Sequence, residues 1–231
     1  MRSLVVNTFM TLDGVMQAPG GPEEDPTHGF GEGGWSVNYW DDAMNARMAA
    51  FMGKPFDLLL GRKTYEIFAA HWPHVSEAER EARGGTASEV DDPAAAALNE
   101  ARKYVASRTL TEVTWNNSVL LEGNVVDAVA RLKQEGGPEI QVHGSSDLLQ
   151  TLTGAGLVDE YSMWTFPVVV GSGKRLFGDA TRPGALELVD SQVSSTGVVM
   201  ATYRPAGAID RGSFAFDDPT PDEAERRRHL D

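Results

Sequence analysis

The chain has 231 residues, no cysteine and a formal net charge of −14 at pH 7. The lack of cysteine excludes disulfides and thiolate metal sites, and the negative charge disfavours binding to nucleic acid or to an anionic membrane surface. The amino terminus is too polar for a signal peptide, and no apolar run approaches the roughly 18 residues of a membrane span. These features predict a soluble cytoplasmic protein of one large or two small domains.

The first predicted element is a strand over Leu4–Phe9, whose nearly continuous apolar run is typical of a strand buried on both faces. The strand leads into Asp13 and a glycine, and α/β sheets place their ligands beyond such strand ends. Asp13 is therefore a candidate catalytic or substrate-contacting residue. The alternative is that its side chain only closes a turn.

A segment rich in glycine and proline follows at residues 18–34 and is too long for a plain connection. We consider two interpretations, a lid over a site and a mobile surface insertion. His28 has proton-transfer chemistry, although a single loop histidine is more often solvated. A helix is predicted over Asp41–Met52, because apolar residues recur there at helical spacing behind two acidic residues.

Four later turns follow predicted strands and combine small, hydroxyl-bearing and basic residues. Three come after the predicted strands at residues 56–60, 103–106 and 139–143, and the fourth ends a long extended run predicted over residues 157–170. The turns consist of Gly61, Arg62, Lys63 and Thr64; Ser107, Arg108 and Thr109; Gly144, Ser145 and Ser146; and Gly171, Ser172, Gly173 and Lys174.

Each of these turns has features that suit a phosphate group. Glycine allows a ligand to approach the backbone closely, and a helix that begins in the turn presents free N–H groups and partial positive charge. Basic side chains add charge-assisted hydrogen bonds. The alternative for each turn alone is a solvated helix cap. Since the ends of parallel strands lie along one edge of a sheet, the four turns together predict a site for one elongated anion, such as a dinucleotide.

The remaining pattern alternates strands with helices and predicts an α/β domain whose central sheet is mostly parallel and has helices on both faces. Helices are predicted over residues 76–83, 94–102, 125–137 and 147–152, with a strand at residues 119–121. A C-terminal antiparallel pair is predicted at residues 186–193 and 198–203. We expect the domain to span residues 1–205 and residues 206–231 to form a charged tail.

The chain resembles the reductase domain of riboflavin biosynthesis, which is the C-terminal domain of the bifunctional deaminase-reductase and has the dihydrofolate reductase fold. The resemblance extends over residues 1 to 205. It is carried by five segments in the same order, at residues 11–14, 61–66 together with Trp72-Pro73, 103–109, 143–148 and 169–177. The zinc deaminase half is not matched, because its metal cluster requires cysteine.

The resemblance implies NADPH as the hydride donor, a homodimer and roles for several residues. Arg62 and Thr64 would hold the adenosine and its phosphates together with Ser107 and Arg108. The turn from Gly144 to Ser146 would bind the pyrophosphate. Asp13 would face the nicotinamide or the substrate.

The sequence thus predicts an NADPH-dependent reductase that transfers a hydride to a C=N or C=O bond of a pyrimidine- or pterin-like heterocycle. The cofactor performs this chemistry, and the protein orients it and supplies a proton. Asp13 is the preferred proton relay, with water, Asp41 and Asp42 as alternatives. The second hypothesis is a non-catalytic protein that binds a nucleotide or another small ligand on the same fold, and a third is an acidic interaction protein that acts through its charged tail.

Overall fold

A computed structural model describes residues 1–75, 93–178, 181–215 and 218–229. Within these residues the strands form one eight-stranded sheet. The strands are β1 (Leu4–Thr11), β2 (Phe56–Gly61), β3 (Lys103–Ala106), β4 (Ser118–Leu120), β5 (Glu139–His143), β6 (Glu160–Phe166), β7 (Leu186–Val193) and β8 (Val199–Pro205). Their order across the sheet is β4-β3-β2-β5-β1-β6-β8-β7.

The sheet is mostly parallel and ends in an antiparallel pair, as predicted. Strands β1 to β6 run in one direction, and β8 pairs antiparallel with both β6 and β7. The carboxyl ends of β1, β2, β3 and β5 therefore lie along one edge of the sheet. Strands β1 and β5 are neighbours, and Asn7 is the register partner of His143.

In the described part of the chain, helices cover both faces of the sheet. They are α1 (Asp42–Met52), α2 (Arg62–His71), α3 (Pro93–Glu100), α4 (Val125–Gln134) and α5 (Ser146–Gly154), and α6 (Pro221–Arg227) follows β8. Side chains alternate along β2, so Leu59 packs on the side of α4 and α5, while Leu58 and Leu60 pack with α1, α2 and α3. Each fully buried leucine of this kind stabilises the fold by about 1.5–3 kcal/mol.

The extended run predicted over residues 157–170 is wrong at both ends, because the strand comprises only Glu160–Phe166. Pro167 follows it and has no N–H with which to continue the ladder. Beyond the proline, the carbonyl of Val168 accepts a hydrogen bond from the N–H of Leu12 at 2.8 Å. The predicted helix at residues 76–83 lies outside the described residues.

The chain after β8 adds little to the core. Helix α6 has no buried residue, and Glu223 pairs there with Arg226 and Arg227. A domain boundary after residue 205 remains a prediction. None of the helices in the described ranges combines the length and apolar character needed to cross a membrane.

Candidate active site

A cleft of about 1490 Å³ opens at the edge of the sheet where β1, β2, β3 and β5 end. Three of the four predicted turns converge on it, as the parallel topology requires. Ten of the residues predicted to bind a cofactor line the cleft: Gly61, Arg62, Lys63, Thr64, Ser107, Arg108, Thr109, Gly144, Ser145 and Ser146. We call this part of the cleft the turn end.

Two helices begin side by side at the turn end. Helix α2 starts after Gly61, which has no side chain to cap it, and helix α5 starts after Ser145, whose side chain does not bond to its own helix. Instead, Ser145 Oγ accepts a hydrogen bond from the N–H of Gly61 at 3.0 Å and donates one to the carbonyl of His143 at 3.3 Å. Ser145 thus joins the two turns, and both helix N-termini offer their first-turn N–H groups to the same wall.

Gly144 allows these turns to approach each other. Its φ of +59° lies in the left-handed region, where a side chain is strained. A Cβ atom at this position would also lie 3.3 Å from Thr64 Oγ1. Glycine is therefore needed here for both its conformation and its small size.

Cationic side chains also line the turn end. Arg62 forms an exposed pair with Glu66 at 3.3 Å, and Lys63 lies 3.7 Å from Asp25. Ser107 Oγ accepts hydrogen bonds from the N–H groups of Thr109 at 3.1 Å and Leu110 at 2.9 Å, which fixes the turn that carries the exposed Arg108. These cations can attract an anion although the protein as a whole is negative. At physiological salt, screening limits the influence of the distant negative charges to about 8 Å.

The glycine- and proline-rich segment forms another wall of the cleft. Its residues Ala18, Glu24 and Asp25 line the cleft. Ala18 and Phe30 are buried, and Trp35 Nε1 donates to the carbonyl of Gln17 at 2.9 Å, which anchors the segment to the fold.

Two adjacent carboxyl groups in this wall have different environments. Burial raises the pKa of Glu24, and repulsion from Asp25 adds to the effect, although its carboxylate accepts the N–H of Gly20 at 2.5 Å. Burial also pushes the pKa of Asp25 upward, but hydrogen bonds and charge from Lys174 and a hydrogen bond from Thr27 lower it below its ordinary value overall. The pair therefore combines an acid that retains its proton more readily with a stable anion.

The other part of the cleft, which we call the aromatic end, is lined by Phe9, Trp40, Met48, Met52 and Phe68. Trp40 contacts Phe9 edge-on at 5.5 Å between ring centroids and stacks on a second tryptophan at 5.8 Å. Such a surface suits a flat ring. Polar side chains adjoin this surface: Asn45 accepts a hydrogen bond from Trp40 Nε1, Asn7 contacts Met48, and His143 contacts Phe68.

His143 is held neutral. Its Nε2 lies 3.0 Å from Gln141 Oε1. Gln141 Nε2 donates to the carbonyl of Phe51 and to Glu139, so its Oε1 accepts, and His143 Nε2 carries the proton. Burial lowers the pKa of His143 to about 4. The ring is therefore an uncharged group at neutral pH.

The sequence of the chain matches the RibD C-terminal domain family over residues 2–200. The chain belongs to this family. A relative at 27% identity is the uncharacterized protein YyaP of Bacillus subtilis (strain 168), and the match covers 87% of this chain and 94% of that protein.

Similar solved structures share the dihydrofolate reductase-like fold at 14% sequence identity. A pyrimidine reductase-like protein from Corynebacterium diphtheriae has a TM-score of 0.54, covering 91% of this chain and 93% of its own. Dihydrofolate reductase from Enterococcus faecalis, complexed with NADP(H) and RAB-propyl, has a TM-score of 0.51, covering 88% and 96%. The Thermotoga maritima diaminohydroxyphosphoribosylaminopyrimidine deaminase/5-amino-6-(5-phosphoribosylamino)uracil reductase has a TM-score of 0.55, covering 89% of this chain and 57% of that protein.

Within this family fold, Asp13 is not among the residues that line the cleft. Its carboxylate accepts hydrogen bonds from Thr11 Oγ1 at 2.6 Å and from the N–H of Gly171 at 2.8 Å. The bond from Thr11 is the largest cause of its lowered pKa. Arg175 donates to the carbonyl of Asp13. These contacts support the turn-closing role for Asp13 and give no support to a proton relay.

The fourth predicted turn also lies outside the cleft lining, except for Lys174. Gly171 bonds to Asp13, as described above. A Cβ atom on Gly173 would lie 2.5 Å from Val15 Cγ1, so that glycine serves packing. This turn does not follow its strand directly, because β6 ends at Phe166, and it therefore does not lie with the other turns.

The alternative proton donors also lie away from the described cleft lining. Asp41 is the N-cap of α1, where it accepts the N–H of Met44 at 3.0 Å and bonds to Ser195. Asp42 stands in the first turn of the same helix. His28 is exposed at a φ of +61°.

Several residues that line the cleft were missed by the sequence analysis. They are Asn7, Glu24, Asp25, Asn124 and His143. Asn124 caps α4 in the turn after β4, the same kind of position as the predicted turns. Asn7 stands in a mostly apolar strand, and an amide at a position expected to be buried could have been recognised from the sequence as a candidate site residue.

Proposed function

We propose that this protein is an NADPH-dependent reductase that transfers a hydride to a C=N or C=O bond of a pyrimidine- or pterin-like heterocycle. The observation that carries the proposal is the division of one cleft into a cationic turn end with two helix N-termini and an aromatic end that suits a flat ring. Membership of the RibD C-terminal domain family supports the same activity.

At the turn end, the first-turn N–H groups of α2 and α5 bind the pyrophosphate, because helix N-termini and close-approach glycine favour phosphate oxygens. Arg62, Thr64, Ser107 and Arg108 bind the adenosine and its phosphates. NADPH supplies the hydride when bound. These residues of the turn end would hold the cofactor in the same cleft as the aromatic end.

We propose Glu24, rather than Asp13, as the proton donor. Glu24 lines the cleft, and burial raises its pKa, so it keeps its proton at higher pH than an ordinary glutamic acid. His143 also lines the cleft, but its pKa of about 4 leaves it without a second proton to donate at neutral pH. A carboxyl group with a raised pKa is better suited to general acid catalysis than an ordinary carboxyl group.

Isothermal titration calorimetry with NADPH and NADP⁺ tests the cofactor assignment. We expect both to bind, and NADPH oxidation to proceed for many turnovers with a heterocycle from a panel of 7,8-dihydropterin, dihydrofolate and aminouracils. If neither nucleotide binds, the reductase proposal fails.

The second candidate is a non-catalytic protein that binds a nucleotide or another small ligand in the same cleft. The position of Asp13 favours this second candidate, because the resemblance implies an acid facing the nicotinamide or the substrate, whereas Asp13 does not line the cleft. Binding of NADPH without oxidation by any heterocycle in the panel would support this candidate. The homodimer remains a prediction, which sedimentation equilibrium tests.

A further inference from the structure

One buried polar group in the cleft lacks a hydrogen-bond partner within the described part of the protein. Asn7 is only 3% exposed, it lines the cleft, and its Oδ1 has no hydrogen-bond partner among the described residues. Its Nδ2 contacts Met48 Sδ at 3.9 Å, and a thioether sulfur is a weak acceptor. The carboxamide is thus almost unpaired in a strand that is mostly apolar.

Such a group reduces stability, because it has lost its bonds to water and gained almost nothing in return. A leucine or valine would suit this position in β1 better. Polar groups that cost stability are typical of functional sites, where a ligand provides the missing partner.

His143 supplies a second acceptor beside Asn7. The two residues are register partners on neighbouring parallel strands, so their side chains project from the same face. His143 Nε2 carries the proton toward Gln141, which leaves Nδ1 with a free lone pair and no partner among the described residues. Phe51 and Phe68 contact the ring at 6.0 and 6.4 Å between centroids and hold it in place.

We propose that Asn7, with His143 beside it, is the specificity-determining residue that binds a ring lactam, the adjacent N–H and C=O groups of the heterocyclic substrate. Asn7 Oδ1 accepts from the ring N–H, and Nδ2 turns from the sulfur of Met48 to donate to the ring C=O. His143 Nδ1 accepts from a further N–H on the same edge. This inference rests on the proposed function and names the substrate class of that site.

The complementarity follows from the two atoms of the carboxamide. A side-chain amide carries one acceptor and one donor next to each other, and a ring lactam presents the matching pair in one plane. Phe9 and Trp40 provide flat apolar surface beside it. A heterocycle whose ring nitrogens are methylated has no N–H to offer and leaves Oδ1 unpaired, so it binds more weakly.

The test compares lumazine, a pteridine with two ring lactams, with 1,3-dimethyllumazine, in which both N–H groups are methylated. Each is titrated into the wild type and into Asn7→Leu, with and without NADP⁺. The wild type is expected to bind lumazine about tenfold or more tightly than the dimethyl compound. Asn7→Leu is expected to lose this preference, while its Tm rises because an unpaired buried group is gone. Asn7→Ala, which adds no volume, is the second variant if the leucine is not accommodated.

Ser118→Ala is the matched control. Ser118 Oγ is also buried without a partner among the described residues, but Ser118 does not line the cleft. Its replacement should raise Tm and leave the affinity for lumazine unchanged. A similar loss of lumazine affinity in this variant would overturn the assignment to Asn7.

The inference is also overturned if the wild type binds both pteridines equally, if it binds neither, or if Asn7→Leu keeps the preference for lumazine. These outcomes are separate from those of the proposed function, since NADPH binding is measured on the same preparations. Lactam discrimination without NADPH binding would remove the reductase proposal alone. NADPH binding without discrimination would remove this inference alone.

Discussion

The two ends of the cleft are built in different ways. The turn end is formed by the turns after β2, β3 and β5, which bring together the N-termini of α2 and α5 and several cationic side chains. The aromatic end consists of side chains that come from β1, α1, α2 and the segment just before α1, which carries Trp40. A backbone site recognises what all ligands of a class share, such as a phosphate group, and a side-chain site recognises what distinguishes one ligand from another. We therefore expect substitutions at the turn end to change cofactor affinity and substitutions near the aromatic end to change substrate choice.

The largest effect should come from substituting Glu24, which lies in the wall formed by the glycine- and proline-rich segment and belongs to neither end of the cleft. Glu24→Gln is expected to lower kcat about 100-fold, as is usual when a general acid is lost. In the wild type kcat should fall as the pH rises through the raised pKa of Glu24, because the carboxyl then loses its proton. The kcat of Glu24→Gln should be independent of pH in that range. Kinetics with the heterocycle that gives turnover, together with carbon NMR titration of the carboxyl, measure both effects.

Burial is the main cause of that raised pKa, and the smaller contribution from the charge of Asp25 can be checked separately. Lys63 and Lys174 pair with Asp25. Asp25→Asn removes the repulsive charge and should lower the pKa of Glu24 without abolishing turnover. The assignment of Glu24 itself is contradicted if Glu24→Gln leaves kcat unchanged, which would show that water or another group donates the proton.

Contact between the two turns at the turn end is tested at Gly144. Gly144→Val is expected to weaken NADPH binding about 100-fold, since the side chain would be strained and would crowd Thr64. Gly156→Val is the matched control, because Gly156 has a similar φ of +68° but no atom within 4 Å. Both variants should lose about 1–2 kcal/mol of stability from backbone strain. Only Gly144→Val should lose cofactor affinity by calorimetry, and equal loss in both variants would contradict the proposed geometry.

His143, beside the aromatic end, should make the stability of the protein depend on pH. The folded protein holds this pKa at about 4, whereas its ordinary value is 6.5, so the unfolded chain binds more protons between these limits. The free energy of unfolding should therefore fall as the pH is lowered from about 6.5 to about 4. We expect a loss of about 2 kcal/mol, less than the full shift implies, because the ring borders an open cleft. Urea unfolding of the wild type and of His143→Asn measures it, and the variant should lack this component.

The smallest effect should come from an exposed cation at the turn end. Arg62→Ala is expected to weaken NADPH binding about tenfold and NADH binding much less, because a charge-assisted contact to the 2′-phosphate is lost. Arg131→Ala removes an exposed arginine of α4 that does not line the cleft, and should change neither affinity. An equal loss for both nucleotides would show that Arg62 does not bind the 2′-phosphate.

The difference between the two ends also explains what could be predicted from the sequence. The strands, most of the helices and three of the four turns follow from local patterns, because a turn after a parallel strand must lie at the same edge of the sheet. The fourth turn could not be placed, since Pro167 ends β6 early and the chain then crosses to Asp13. Nothing in the local pattern shows that the amides of residues 170 and 171 would take up that carboxylate.

The aromatic end could not be predicted because its residues are ordinary core residues until the tertiary fold brings them together. The apolar spacing in α1 predicted a helix, and only the structure shows that Met48 and Met52 border the cleft. Glu24 and Asp25 stood in a segment with no periodicity. The pKa values that distinguish them depend on burial and on Lys174, which lies about 150 residues away along the chain.

The hydrogen bond from Gly61 to Ser145 joins segments that are 84 positions apart. The wall formed by the N-termini of α2 and α5 is complete only when both strand–helix units have formed, so a nascent or truncated polypeptide with one unit would lack the affinity that the proposed function assigns to the whole cleft. A nucleotide bound there should consequently act as a ligand of the completed domain alone. Added during refolding, it would leave the early steps unaffected and oppose the final opening of the sheet edge, lengthening the lifetime of the folded protein against proteolysis.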